Sequence, residues 1–332
     1  MSLRILFRCD CGTAAGYGHF SRCLNLARAL RGTVPAPRCV FWGSYDDFGG
    51  NALARYGIER LPAAVGGFSA ADVAPTLEAT RDFDLLVLDS YLADQDYVDG
   101  LKKRRCRLVV LDDMRRLDLR DADLAICFRA GSQAFPYGAR REALGLEYLV
   151  VKPELRPLRE RNLADSARPI RAALVFFSGG EHDAARLKDA VAAVGAALPD
   201  AAVIYVTRDG RPLPGLGRAT PTAPRVDVES LYAQADLIIT GGGLVKYESA
   251  YCAIPNASLS QTELQGEDTR VLAAQDLTLD LGSWSAFDPG AASGALARFA
   301  ADAGAVERQR RAFRHSLVSD SPQRLAGVLL GL

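Results

Sequence analysis

The sequence is poor in metal-binding residues and lacks the long apolar runs that cross membranes. Histidine occurs only three times in 332 residues, at positions 19, 182 and 315. The seven cysteines, at 9, 11, 23, 39, 106, 127 and 252, form an odd and irregular set. Cys9 and Cys11 make a C-x-C, but no second close pair accompanies it, and structural zinc usually takes four ligands grouped in pairs. The cysteines therefore read as reduced thiols packed as small hydrophobes, and neither a metal nor an organic cofactor is expected. No apolar run reaches the roughly 18–20 residues needed to span a bilayer. The chain opens into a strand-like segment and a glycine loop rather than a leader peptide, so a cytoplasmic protein is expected. An excess of one charge is missing too, since 40 lysines and arginines meet 40 aspartates and glutamates. That balance gives no electrostatic ground for a nucleic-acid or anionic-membrane partner. No repeat of solenoid length is visible.

What is present suits two domains, each long enough to bury a core of its own. Short apolar runs alternate with amphipathic stretches, the mark of helices covering a parallel sheet. Strands are expected at 3–8, 38–42, 85–88 and 108–111, with a weaker one at 124–127. Leu24, Ala27 and Leu30 fall at helical spacing after the first strand, and Gly32 is a natural stop. The second half restarts the pattern, with strands at 172–177, 201–207 and 237–240. Helices are expected there at 184–197, 228–234 and 244–252. Between the halves, 152–168 is rich in charge and carries Pro153 and Pro157, which reads as an exposed connection. The expected organisation is a Rossmann-like domain over 1–160 and a second over 168–310. A last helix, about 305–332, could return to the first domain through 311–332.

In open parallel sheets ligands meet the loops at the strand carboxyl ends. If the two domains face each other, those loops converge on one cleft. After the first strand come Asp10, Gly16, Tyr17, Gly18, His19 and Arg22. The glycines let the backbone turn tightly and approach a ligand. His19 falls at the start of a helix, where the dipole disfavours imidazolium, and a neutral imidazole suits a general base. Arg22 shares its helix face and could hold the loop or meet an anion. The plainer reading makes His19 a helix cap and the glycines turns. Asp89 and Asp112-Asp113 end later strands and could line a sugar pocket, orient His19 or cap helices. The sequence leaves Asp10, Asp89, Asp112 and Asp113 open as partners of His19.

Two further glycine loops follow strands in the second half, Ser178-Gly179-Gly180-x-x-Asp183 and Gly241-Gly242-Gly243. Each opens a helix whose free amides could bind a diphosphate without magnesium. Glu248 lies about one turn into the second of these helices, where its carboxylate could accept ribose hydroxyls. Neither loop is a Walker motif or a G-x-G-x-x-G fingerprint.

These residues together resemble a known family. Gly16-Tyr17-Gly18-His19-x-x-Arg22, Asp89-x-Tyr91, Leu111-Asp112-Asp113, Ser178-Gly179-Gly180-x-x-Asp183 and Gly241-Gly242-Gly243-Leu244-Val245-x-x-Glu248 are similar, in order, to the sugar-nucleotide hydrolases of pseudaminic acid biosynthesis (PseG-like). The last of these motifs is shared with the wider MurG-like group. The resemblance implies a GT-B fold: two Rossmann-like parallel-sheet domains facing across a cleft. It implies a catalytic role for His19, and nucleotide contacts from the loops at 179–180 and 241–245 and from Glu248. Gln265 is carried over as a nucleotide contact, while Leu264, Lys246 and Tyr247 depart from the pattern. The expected reaction is hydrolysis of the C1–O bond of a UDP-linked diacetamido sugar, with inversion and without a metal. An inverting GT-B glycosyltransferase, or a non-catalytic nucleotide-sugar-binding protein, would use the same residues.

Overall fold

The computed structural model describes residues 2–12, 15–62, 67–165, 169–177, 183–225 and 227–332. The chain divides into two compact units, Met1–Pro153 with Asp320–Leu332, and Glu154–Ser319. Unit 1 contains strands β1 (Arg4–Arg8), β2 (Arg38–Trp42), β3 (Glu59–Arg60), β4 (Leu85–Leu88), β5 (Arg107–Leu111), β6 (Leu124–Cys127) and β7 (Glu142–Leu144). They form one sheet in the order β3-β2-β1-β4-β5-β6-β7, with every pair parallel. Its helices include α1 (Gly18–Arg31), α2 (Asp47–Arg55), α3 (Ala70–Ala79) and α4 (Gln95–Gly100).

A parallel sheet covered on both faces buries alternate residues in opposite layers. In β1, Ile5 and Phe7 enter one core and Leu6 the other. Helix α1 follows because Phe20, Cys23, Leu24, Ala27 and Leu30 recur at helical spacing and are buried, while Arg28 and Arg31 suit its negative end. The strand order reverses between β1 and β4, which are direct neighbours. Such a reversal opens a crevice at the strand carboxyl ends. Here Arg8 pairs with Leu88, and the Asp89 amide donates to the Arg8 carbonyl at 3.1 Å.

Unit 2 contains α5 (Leu155–Ala164), β8 (Ala172–Phe176), α6 (Ala184–Ala197), β9 (Ala202–Val206), β10 (Thr220–Thr222), α7 (Val228–Tyr232) and β11 (Leu237–Thr240). It continues with α8 (Leu244–Tyr251), β12 (Asn256–Ser260), α9 (Glu263–Ala273), β13 (Leu279–Ser283), α10 (Pro289–Ala301) and α11 (Ala303–Ser316). Its sheet is also parallel, in the order β10-β9-β8-β11-β12-β13, and reverses between β8 and β11.

Two expectations change. The stretch 152–168 is not a bare connection, because α5 occupies most of it. Leu155 and Leu158 are buried, and so is Arg159, whose guanidinium donates to the carbonyls of Tyr251 (2.6 Å), Phe313 (3.2 Å) and Leu317. Carbonyls at helix ends there stand in for a counter-ion, and burial lowers the Arg159 pKa. A helix that buries a charge does not show the usual apolar stripe. The segment 305–332 is likewise two helices, α11 and α12 (Ser321–Leu330), because Leu317 turns extended and Pro322 starts a new first turn. Helix α12 packs on α1, with Leu325, Ala326 and Leu329 in the same core as Phe20, Leu24 and Ala27.

Candidate active site

The switch point of unit 1 gathers five charged or titratable side chains. His19 lies in the first turn of α1 after β1, and Asp89 directly follows β4. Because those strands are neighbours, the two residues meet: His19 Nδ1 stands 2.6 Å from Asp89 Oδ1. Arg22, one turn further along α1, grips the same carboxylate with two donors, Nε to Oδ2 at 2.5 Å and Nη2 to Oδ1 at 2.6 Å. Its Nη1 donates to Asp113 Oδ2 at 2.8 Å. Tyr91 donates its hydroxyl to that same Asp113 oxygen at 3.0 Å and sets its ring edge-on to His19, with centroids 4.1 Å apart.

The electrostatics keep Asp89 and Arg22 ionised. Burial alone would raise the Asp89 carboxyl, but the charges of Arg22 and then His19 outweigh it and hold the group down at about 2. Burial likewise opposes the Arg22 guanidinium, yet Asp113 and Asp89 more than compensate and keep it charged. The tautomer follows from which contact costs more. With Nδ1 bare, it would accept from Arg22 Nη2 at 3.0 Å but set a lone pair against ionised Asp89 Oδ1 at 2.6 Å. The hydrogen is therefore assigned to Nδ1, and Nε2 is the acceptor. Nε2 makes no hydrogen bond among the described residues. This is the arrangement of an oriented base, with a carboxylate holding the ring tautomer.

Other sequence candidates in unit 1 lie elsewhere. Asp10 pairs with buried Arg8 at 2.8 Å and accepts the Ser44 amide at 2.9 Å, so its hydrogen bonds serve Arg8 and the loop after β2 rather than His19. Arg8 also binds Asp72 at 2.7 Å and lies over the Phe68 ring. Asp112 accepts the amides of Met114 and Arg115, both at 2.9 Å, which closes a turn; burial raises its pKa. Tyr17 points to Asp46 at 3.0 Å. Gly16 adopts φ +78° and Gly18 begins α1, so both shape the approach to His19. Cys9 and Cys11 are buried, and no group of three or more His, Cys, Asp or Glu side chains among the described residues could hold a metal ion.

In unit 2, Ser178, Gly179 and Gly180 lie outside the described residues, while Asp183 caps α6 through the Ala185 amide at 2.9 Å. The loop Gly241-Gly242-Gly243 joins β11 to α8, and α8 starts at Leu244 and Val245 without a side-chain cap. Gly242 sits at φ +79°, and a Cβ there would stand 3.1 Å from Cβ of Gln265. The Gln265 side-chain oxygen Oε1 accepts the Gln261 backbone N–H at 2.9 Å, which holds the loop after β12. Glu248 is buried and accepts the Tyr232 hydroxyl at 2.6 Å. Behind it, Lys246 pairs with Asp268 at 2.6 Å, and Tyr247 donates to the same carboxylate.

Tyr232 and Asp268 are absent from the sequence reading. Neither sits in a glycine motif, and only the fold of α7 and α9 around α8 brings them in.

No protein-family model matches the chain. Over 225 residues it is 26% identical to the spore coat polysaccharide biosynthesis protein SpsG of Bacillus subtilis (strain 168). That match covers 61% of this chain and spans 63% of the length of the relative. Among solved structures, the glycotransferase of kitacinnamycin superposes with a TM-score of 0.66 at 16% identity, covering 99% of each chain. The glycosyltransferase SsfS6 of Streptomyces sp. SF2575, complexed with thymidine diphosphate, gives 0.63 at 11% identity, covering 99% of this chain and 100% of that one. The two parallel-sheet α/β units of this chain, with these neighbours, make it a protein of the GT-B fold.

Proposed function

We propose that the protein is an enzyme that transfers a sugar from a nucleoside diphosphate to an acceptor hydroxyl in polysaccharide biosynthesis, with His19 as the base. The observation that carries this reading is the His19–Asp89 pair at 2.6 Å, which leaves Nε2 as an acceptor among the described residues. The acceptor hydroxyl attacks C1 of the sugar and gives its proton to Nε2. The C1–O bond breaks, its electron pair leaves with the diphosphate, and the configuration at C1 inverts. Asp89 stabilises the imidazolium so formed. The amides around Gly241–Leu244 would take up the charge growing on the diphosphate, so no general acid is required for its departure. Glu248 would accept the ribose hydroxyls. The glycosyltransferases among the solved neighbours and the polysaccharide role in the relative's name support transfer over the hydrolysis expected from sequence.

Hydrolysis keeps one specific support, the PseG-like run Gly16-Tyr17-Gly18-His19-x-x-Arg22 with Asp89-x-Tyr91. In that case water takes the place of the acceptor at the same base. Proton NMR on a panel of nucleotide sugars, with EDTA and with or without saccharide acceptors, separates the readings. A donor stable alone but consumed with an acceptor establishes transfer. Rapid release of a single inverted sugar anomer without acceptor establishes hydrolysis. A donor that binds and survives every condition overturns both.

A further inference from the structure

Tyr232 is the residue that neither the sequence motifs nor the proposed reaction absorbs. It ends the short helix α7, is fully buried, and carries its hydroxyl to Glu248 Oε2 at 2.6 Å. Burial, and then the Glu248 charge, raises its pKa well above the ordinary phenol range, so the phenol keeps its hydrogen and donates. A hydrogen bond to a carboxylate is short and directional, and it restricts rotation of the acceptor's terminal torsion. Glu248 is therefore held in one orientation from the side of α7 as well as by its own helix.

We propose that Tyr232 is a positioning residue that fixes the Glu248 carboxylate toward the 2′ and 3′ hydroxyls of the nucleotide, so that the site selects ribonucleoside diphosphates over 2′-deoxy forms. This rests on the reading in which Glu248 meets ribose. A carboxylate free to turn could follow the 3′ hydroxyl alone and would discriminate weakly. Held by Tyr232, it keeps a place for the 2′ hydroxyl, and an analogue without that group forgoes a hydrogen bond to a charged acceptor.

The test is calorimetric titration of the full chain with UDP, GDP, CDP and ADP and their 2′-deoxy counterparts. Wild type, Tyr232→Phe and Glu248→Gln are compared, with thermal unfolding of each as a check of folding. The wild type is expected to bind its ribonucleotide about tenfold or more tightly than the deoxy form. Tyr232→Phe, which keeps the ring, is expected to bring that ratio close to one, chiefly by weakening the ribonucleotide. If Tyr232→Phe keeps the wild-type ratio, or weakens both forms equally, while Glu248→Gln collapses the ratio, the inference fails and the ribose reading stands. If Glu248→Gln leaves the ratio unchanged, or the wild type binds none of these nucleotides, the ribose reading fails and takes the inference with it.

Discussion

His19 and Asp89 are 70 residues apart in the chain and 2.6 Å apart in space, joined because β1 and β4 are neighbours at the reversal of the sheet. If that pair is the base and its anchor, replacing His19 with Ala lowers turnover about 10²–10⁴-fold. If unit 2 carries the nucleoside diphosphate affinity, as proposed, that affinity stays within about twofold of wild type, on the scale of a surface change. Turnover by NMR and affinity by calorimetry check this together. Turnover within tenfold of wild type would remove His19 from the mechanism.

Asp89 carries a structural role as well, because it is fully buried against the Arg22 guanidinium. Asp89→Asn removes the negative charge from beside that cation and leaves Asp113 as its carboxylate partner among the described residues. It is expected to destabilise the protein by about 3–5 kcal/mol, the scale for breaking a buried pair. Urea unfolding measures it. A loss below 1 kcal/mol would mean that Arg22 finds another partner.

The same carboxyl sets an acid limit. Its folded-state pKa of about 2 lies below the unfolded value near 3.8, so the folded state holds its proton less readily. The resulting stability, on the order of 2 kcal/mol, is fully present above pH 4 and is lost as pH falls through 4 toward 2. Unfolding free energies between pH 6 and pH 2.5 should fall more steeply for wild type than for Asp89→Asn. Parallel curves would contradict this account.

Gly242 is the second point where a single atom matters. At φ +79° any side chain is strained, and a Cβ would also meet Ser260 Oγ at 3.2 Å. Gly242→Ala is expected to cost about 1–2 kcal/mol of stability. If the loop grips the diphosphate, nucleotide affinity falls with it, by about tenfold, the loss of one charge-assisted hydrogen bond. Unchanged affinity in a folded variant would dissociate the loop from the phosphate.

The buried Lys246–Asp268 pair at 2.6 Å ties α8 to α9. Lys246→Met alone takes the cation from a buried carboxylate that keeps the Tyr247 hydroxyl. It is expected to cost about 3–5 kcal/mol, whereas adding Asp268→Leu restores much of that loss. Urea denaturation of the four proteins in the cycle gives the coupling. Strict additivity would show that the two charges do not depend on each other.

The fold class was legible because strands such as β4 and β6 are continuous apolar runs buried on both faces, as are 39–42 of β2 and 237–239 of β11, and α6 keeps its stripe from Ala184 to Ala197. Strand β12 was not legible. Its buried residues are largely polar, with Ser258 bonded to Thr278 and Asn256 to Gln309, so no apolar pattern marks it. Strands β3 and β7 are too short to carry a period. In the site, spacing names His19 and four aspartates, and only the strand order singles out Asp89 as the one within reach. The Tyr232 and Asp268 contacts depend on packing between helices, on which local sequence is silent.

Helix α12 gives unit 1 a property that unit 2 lacks. Unit 2 is one unbroken stretch, while unit 1 is assembled from 1–153 and 320–332. Leu325, Ala326 and Leu329 close the core behind the helix that carries His19. As residues leave the ribosome in order, unit 2 has every residue it needs before unit 1 does. The unit that holds the Gly241-Gly242-Gly243 loop can thus mature first, and the unit that holds His19 stays incomplete until α12 is made.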